Sequence, residues 1–207
     1  MRVFVKVCGL RTVEAALAAV DAGADAVGVV FSTTSPRRID EAGARAIVDA
    51  IRGRAETVVV TNDMDAAAAA ALTARLGADI LQLHGPYAAS DFARAAEWHP
   101  RLWRATSLAA AGELSAGAYG DEAILLDAPR PGSGERWDLT ELVARRPAGR
   151  WLLAGGLTPG NVADAVREAQ PWGVDVSSGV ESAPGEKDLG LIRTFVSAAR
   201  SVGESGR

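Results

Sequence analysis

Short runs of β-branched and other apolar residues alternate with Ala-rich stretches of helical spacing from one end of this chain to the other. The strand candidates are Val3–Val7, Ala26–Phe31, Thr57–Thr61, Ile80–Leu83, Leu102–Ala105, Ala123–Asp127, Trp151–Ala154 and Val174–Ser177. Helical spacing fills the intervals near 12–22, 40–52, 64–76, 88–97, 109–117, 138–146, 159–169 and 188–201. Parallel strands need long crossovers, and a helix laid over the sheet supplies each one, so the alternation is that of a parallel α/β fold. Eight such units in 207 residues stand at the lower size limit of a closed (β/α)8 barrel. An open doubly wound sheet is the rival. It usually carries fewer units, and a G-x-G-x-x-G turn after its first strand, which is missing here. The pattern predicts a single (β/α)8 TIM barrel over residues 1–202, with 203–207 as a frayed tail. Ala22-Gly23-Ala24-Asp25, Leu76-Gly77-Ala78-Asp79 and Trp172-Gly173-Val174-Asp175 echo one another, each read as a helix stop feeding a strand.

Composition narrows what such a barrel handles. A net charge of −4 without a long basic run argues against nucleic acid, whereas a small anion needs only a few amides or one Arg. No stretch is long and apolar enough to span a bilayer, and Met1–Val7 is too soon interrupted by Cys8-Gly9 to act as a secretory signal. The single cysteine, Cys8, rules out an internal disulfide framework and fits a reducing, cytoplasmic setting. Monomer and homodimer both remain open.

In barrels of this kind the active site lies at the C-terminal strand ends, which turns position into a filter. Those ends carry Cys8-Gly9, Ser35-Pro36-Arg37-Arg38, Asn62, His84-Gly85, Asp127, Gly155-Gly156 and Ser177-Ser178-Gly179. The glycine turn Gly155-Gly156, leading into Leu157-Thr158-Pro159, presents amides to an anion, and Ser177-Ser178-Gly179 adds donors at the next strand end. Either turn alone would be ordinary turn chemistry; the two together point to phosphate. Cys8 reads either as a small buried hydrophobe or as a base, since a thiol with a pKa of about 8.5 needs help to ionise. Strand alternation places Lys6 on the inner face below it, with Val5 and Val7 outward. Lys6 and Asp175 are expected to pair there, the ammonium biasing Cys8 toward thiolate. Asp127 reads either as a loop cap or as a partly desolvated general acid. Arg37 is an exposed arginine whose fork suits a carboxylate, or it forms a surface ion pair. His84, without a second ligand at suitable spacing, reads as a hydrogen-bonded wall residue and not as a metal ligand. Gly132-Ser133-Gly134 is a flexible loop able to cover a substrate, or a long turn.

Taken in order, Lys6-Val7-Cys8-Gly9-Leu10, Gly23-Ala24-Asp25-Ala26-Val27-Gly28, Ser35-Pro36-Arg37, Leu81-Gln82-Leu83-His84-Gly85, Leu126-Asp127, Gly155-Gly156-Leu157-Thr158-Pro159 and Val174-Asp175-Val176-Ser177-Ser178-Gly179-Val180-Glu181 resemble the phosphoribosylanthranilate isomerase family of tryptophan biosynthesis. Pro184-Gly185 and Lys187-Asp188 complete the resemblance, which runs from residue 6 to residue 188. It implies an Amadori rearrangement of N-(5-phosphoribosyl)anthranilate to its deoxyribulose isomer, with no metal or organic cofactor. By the same resemblance Asp127 is the acid that opens the ribose ring and Cys8 the base that takes the C2 proton. Arg37 holds the anthranilate carboxylate, and Gly155, Gly156, Ser177, Ser178 and Gly179 hold the phosphate. Two positions depart from the pattern: Pro131 stands before Gly132-Ser133-Gly134, and Thr61 replaces an apolar residue. One rival is a bifunctional barrel that also isomerises a histidine-pathway substrate with two phosphates; Asn62-Asp63-Met64-Asp65 places acids where the second phosphate would go. The other is a non-catalytic phosphosugar-binding barrel, which would need neither Cys8 nor Asp127.

Overall fold

In a computed structural model of the chain, the residues described are 2–202 apart from 109–112, 128–141 and 143. Eight parallel strands, β1 (Phe4–Val7), β2 (Ala26–Val30), β3 (Glu56–Thr61), β4 (Ile80–His84), β5 (Leu102–Ser107), β6 (Ala123–Asp127), β7 (Trp151–Leu153) and β8 (Gly173–Val176), pair in sequence order, and β8 closes on β1. Around them lie α1 (Val13–Asp21), α2 (Glu41–Ile51), α3 (Ala66–Leu76), α4 (Ala89–Ala96), α5 (Val162–Ala169) and α6 (Leu189–Ser201). The (β/α)8 barrel is therefore observed, with strand boundaries within about two residues of those predicted. Helix starts are fixed by side chains that take an otherwise orphaned amide: Thr12 accepts from Ala15, Asp40 from Gly43, Asp65 from Ala68 and Asp188 from Leu191.

Two apolar shells follow from the strand period of two. Val5, Val7, Val27, Val29 and Leu81 face the helices. Cys8, Ala26, Val58, Val60, Trp103 and Leu125 fill the barrel itself. Its lower end is plugged by rings: Phe4 stacks on Trp172 at 4.4 Å and meets Trp103 edge-on at 5.9 Å.

Three expectations are changed. The echo of Gly-Ala-Asp turns holds at Gly23 and Gly77, which have positive φ, and the following acids tie adjacent strands: Asp25 accepts from the Val5 amide and Asp79 from the Thr57 amide. It fails at the eighth strand, where Gln170 takes the left-handed turn. Gly173 lies within β8, where an added Cβ would stand 2.9 Å from Phe4. The helix expected over 109–117 is absent across its described part, 113–117; Arg104 Nη2 bonds the carbonyls of Glu113 and Ser115, and Ser115 bridges to Ala148. Those carbonyls are thus drawn away from a helical ladder. A hairpin, β9 (Glu181–Ala183) with β10 (Glu186–Lys187), was not foreseen because its strands are only three and two residues long. Most of the helix expected at 138–146, the loop Gly132-Ser133-Gly134 with Pro131, and the tail 203–207 lie outside the described residues.

Candidate active site

The upper strand ends surround a cavity of about 330 Å³. Cys8, Arg37, His84 and Asp127 line it, as do Gly155, Gly156, Asp175, Ser177 and Ser178, so nearly every site residue expected from the sequence converges there. Gly179 stands just behind, in the 3-10 turn Ser178–Val180, and Lys6 lies one layer below Cys8.

Lys6 is fully buried, and its Nζ donates to Asp175 Oδ1 at 2.8 Å, across the β1–β8 register that sets these residues side by side. The predicted pair is present. Although burial works against the ammonium, Asp175 and Cys8 together hold its pKa above the ordinary lysine value. Cys8 anchors its own amide on Val176 O at 2.8 Å. Gly28 makes the room for the thiol, because a Cβ there would lie 2.8 Å from Sγ. The expected bias of Lys6 toward thiolate is present but is outweighed. Burial pushes the Cys8 thiol up, and the pull of Lys6 and Lys187 in the other direction does not cancel it.

Asp127 ends β6 with its side chain 13% exposed, beside His84 at the cavity mouth. His84 Nε2 is 3.9 Å from Asp127 Oδ2, too long for a hydrogen bond. Burial and the nearby Lys6 lower the histidine's pKa, so at neutral pH the ring is uncharged and the two do not form an ion pair. His84 lines the cavity wall as foreseen, but among the described residues its ring makes no hydrogen bond.

Arg37 is also corrected: it is half-buried, not exposed, and its fork already grips a carboxylate of the chain itself. Nε donates to Glu181 Oε1 at 2.7 Å and Nη2 to Glu181 Oε2 at 2.8 Å. A guanidinium has a second donor edge, so Arg37 retains one for a ligand. Sequence reasoning gave no role to Glu181 or Lys187, although both stood in the quoted motifs; nothing local ties residues 144 positions apart.

The two glycine turns form one anion-receiving surface. Gly155 and Gly156 take positive φ, and Asn161 locks their loop by accepting from the Thr158 amide and donating to Gly156 O. A Cβ on Gly179 would fall 1.8 Å from Leu157 O, so the loops after β7 and β8 touch through backbone alone. Among the described residues the amides of Gly155, Gly156, Ser178 and Gly179 donate to no acceptor, which leaves them available to a phosphate.

Asp63, in the loop after β3, accepts from both the amide and the hydroxyl of Thr33. Those donors in the N-terminal half are therefore already taken by a carboxylate. Among the described residues no group of three His, Cys, Asp or Glu side chains is placed to hold a metal, and no helix is long and apolar enough to cross a membrane.

Fold and site together define a (β/α)8 barrel that receives a small anionic molecule at its mouth, beside a thiol and a carboxyl group. A family model described as N-(5'phosphoribosyl)anthranilate (PRA) isomerase matches residues 5–198. The chain belongs to that family. The N-(5'-phosphoribosyl)anthranilate isomerase of Acidiphilium cryptum is 42% identical over 95% of this chain and 98% of its own length. The crystal structure of TrpF from Jonesia denitrificans is 52% identical, with a TM-score of 0.91 over 97% of this chain and 98% of that one. A phosphoribosyl anthranilate isomerase crystallised with reduced 1-(o-carboxyphenylamino)-1-deoxyribulose 5-phosphate is 30% identical, with a TM-score of 0.83 over 96% of this chain and 99% of that one.

Proposed function

We propose that this chain is a phosphoribosylanthranilate isomerase of tryptophan biosynthesis, with Cys8 as base and Asp127 as acid. The observation that carries the assignment of roles is that these two side chains line one cavity, Cys8 above a buried Lys6–Asp175 pair, together with Arg37 and the glycine turns. A phosphorylated aryl ribosylamine has a phosphate at one end and a carboxylate at the other. The amides of Gly155, Gly156, Ser178 and Gly179 suit the first, with Ser177 beside them, and the free edge of Arg37 suits the second.

In the first step Asp127 gives its proton to the ribose ring oxygen as the C1–O bond breaks. The nitrogen lone pair moves in to form a protonated Schiff base. Cys8, as thiolate, then takes the proton from C2, and those electrons flow through C1 to neutralise the nitrogen as an enolamine. Protonation at C1 and loss of the proton from the C2 hydroxyl give the ketone. No redox partner is needed, because C1 is reduced as C2 is oxidised within one molecule. The Lys6 ammonium favours the thiolate at the moment it is needed, and Asp175 keeps that ammonium in place. The occupied donors at Thr33 favour a substrate with one phosphate over one with two. The work belongs to the cytoplasm, where a lone unpaired thiol stays reduced.

The test is fluorescence-monitored turnover of phosphoribosylanthranilate by the wild type, Cys8→Ser and Asp127→Asn. Wild-type turnover is expected, with kcat lowered about 10²–10⁴-fold in each variant. Near-full kcat in either variant would remove its assigned role.

A further inference from the structure

Behind Arg37 lies a buried charge cluster that none of these steps employs. Glu181 opens β9 and accepts from two nitrogens of Arg37. Its Oε1 also accepts from Lys187 Nζ at 2.7 Å, and the same ammonium donates to Ser177 O at 2.8 Å. The Glu181 and Lys187 side chains are 5% and 3% exposed. A surface ion pair contributes little and costs little, but two buried charges with a half-buried third need a dense set of bonds to persist. Glu181 remains ionised despite its burial, held below the ordinary carboxylate range by Arg37 and Lys187.

The surrounding glycines tighten the same grip. A Cβ on Gly9 would stand 2.6 Å from Arg37 Cδ, and one on Gly185, in the hairpin turn, 2.7 Å from Pro36 O. Arg37 is thus held along its stem, at the preceding carbonyl and at one edge of its fork. A free arginine could offer either donor edge in many rotamers. Here one edge is taken, and only the other is left for a ligand.

We propose that Glu181 and Lys187 are positioning residues that set the substrate's carboxylate specificity. Glu181 fixes Arg37 so that its remaining edge meets the aryl carboxylate. Lys187, bonded to Glu181 and to the turn after β8, ties that anchor to the phosphate loop, so the spacing of the two anchors measures the substrate. This rests on the isomerase reading of the site.

The experiment compares kcat/KM for N-(5'-phosphoribosyl)anthranilate and for N-(5'-phosphoribosyl)aniline, which lacks the carboxylate. Glu181→Gln keeps the shape and removes the charge. It is expected to reduce the preference for the anthranilate substrate about tenfold, the size of a lost charge-assisted hydrogen bond. Arg37→Ala should reduce it at least as much, and the double variant no further than Arg37→Ala alone. Glu181→Asp, which keeps the charge on a shorter arm, should lose preference as well. Equal slowing of both substrates by Glu181→Gln, or a loss additive with that of Arg37→Ala, overturns the proposal. Should Glu181→Gln fail to fold, Lys187→Gln is read on the same substrates, and an unchanged preference there overturns it equally. A wild type inactive on the anthranilate substrate would instead sink the isomerase reading and this proposal with it.

Discussion

At the scale of single residues the mouth is governed by one conflict: the thiol proposed as the base is buried, and burial disfavours its charge even with two ammonium groups nearby. Burial holds the Cys8 pKa above the ordinary thiol value, with Lys6 and Lys187 pulling the other way. The sign follows directly. A base is active when deprotonated, so kcat/KM should climb with pH through and beyond the ordinary thiol range. The neutral thiol's contribution to stability is fully present below the ordinary thiol pKa and lost as pH rises through the raised value. Lys6→Met removes a charge that favours thiolate, and should move the alkaline limb of kcat/KM to still higher pH; an unmoved limb would detach Lys6 from Cys8. The same change strands Asp175 without its partner, costing about 3–5 kcal/mol in denaturant melts. Both residues could be placed from strand alternation alone, because Lys6, Cys8 and Asp175 occupy inward positions on neighbouring strands. Which force dominates the thiol could not, since burial is a property of everything packed around it.

At the scale of elements, loops do the selecting. The turns after β7 and β8 meet where Gly179 passes Leu157 O, with no room for a side chain. Gly179→Ala should force them apart and raise KM for the phosphorylated substrate several-fold, with inorganic phosphate weakened as an inhibitor in parallel. Inhibition by phosphate that is unchanged while KM rises would place the anion elsewhere. These turns were legible because glycine and strand end coincide within a few residues. The β9–β10 hairpin was not. Its strands are too short to show a period, and its purpose appears only once Glu181 and Lys187 are seen against Arg37 and Ser177. Arg104 makes the same point: the carbonyls it draws from Glu113 and Ser115 cancel a helix that local spacing favoured.

At the scale of the whole molecule, stability and chemistry sit at opposite ends of the barrel. Phe4, Trp103 and Trp172 close the lower end, whereas Cys8, Asp127 and the glycine turns open the upper one. Trp103 is 2% exposed, and Trp103→Ala should cost about 3–5 kcal/mol while leaving kcat near that of the wild type. A kcat that falls with it would show that the two ends are coupled. The order of the eight barrel strands, their closure and the strand-end positions of Cys8, Asp127 and the glycine turns were determined by the sequence itself, because hydrophobic period and glycine placement are local signals. The tertiary structure alone decided that Arg37 is half-spent on Glu181, that His84 comes beside Asp127 without a hydrogen bond, and that the Cys8 pKa lies above its ordinary value. Each of these depends on distances and burial between residues far apart in the chain, and only closure of the barrel creates them.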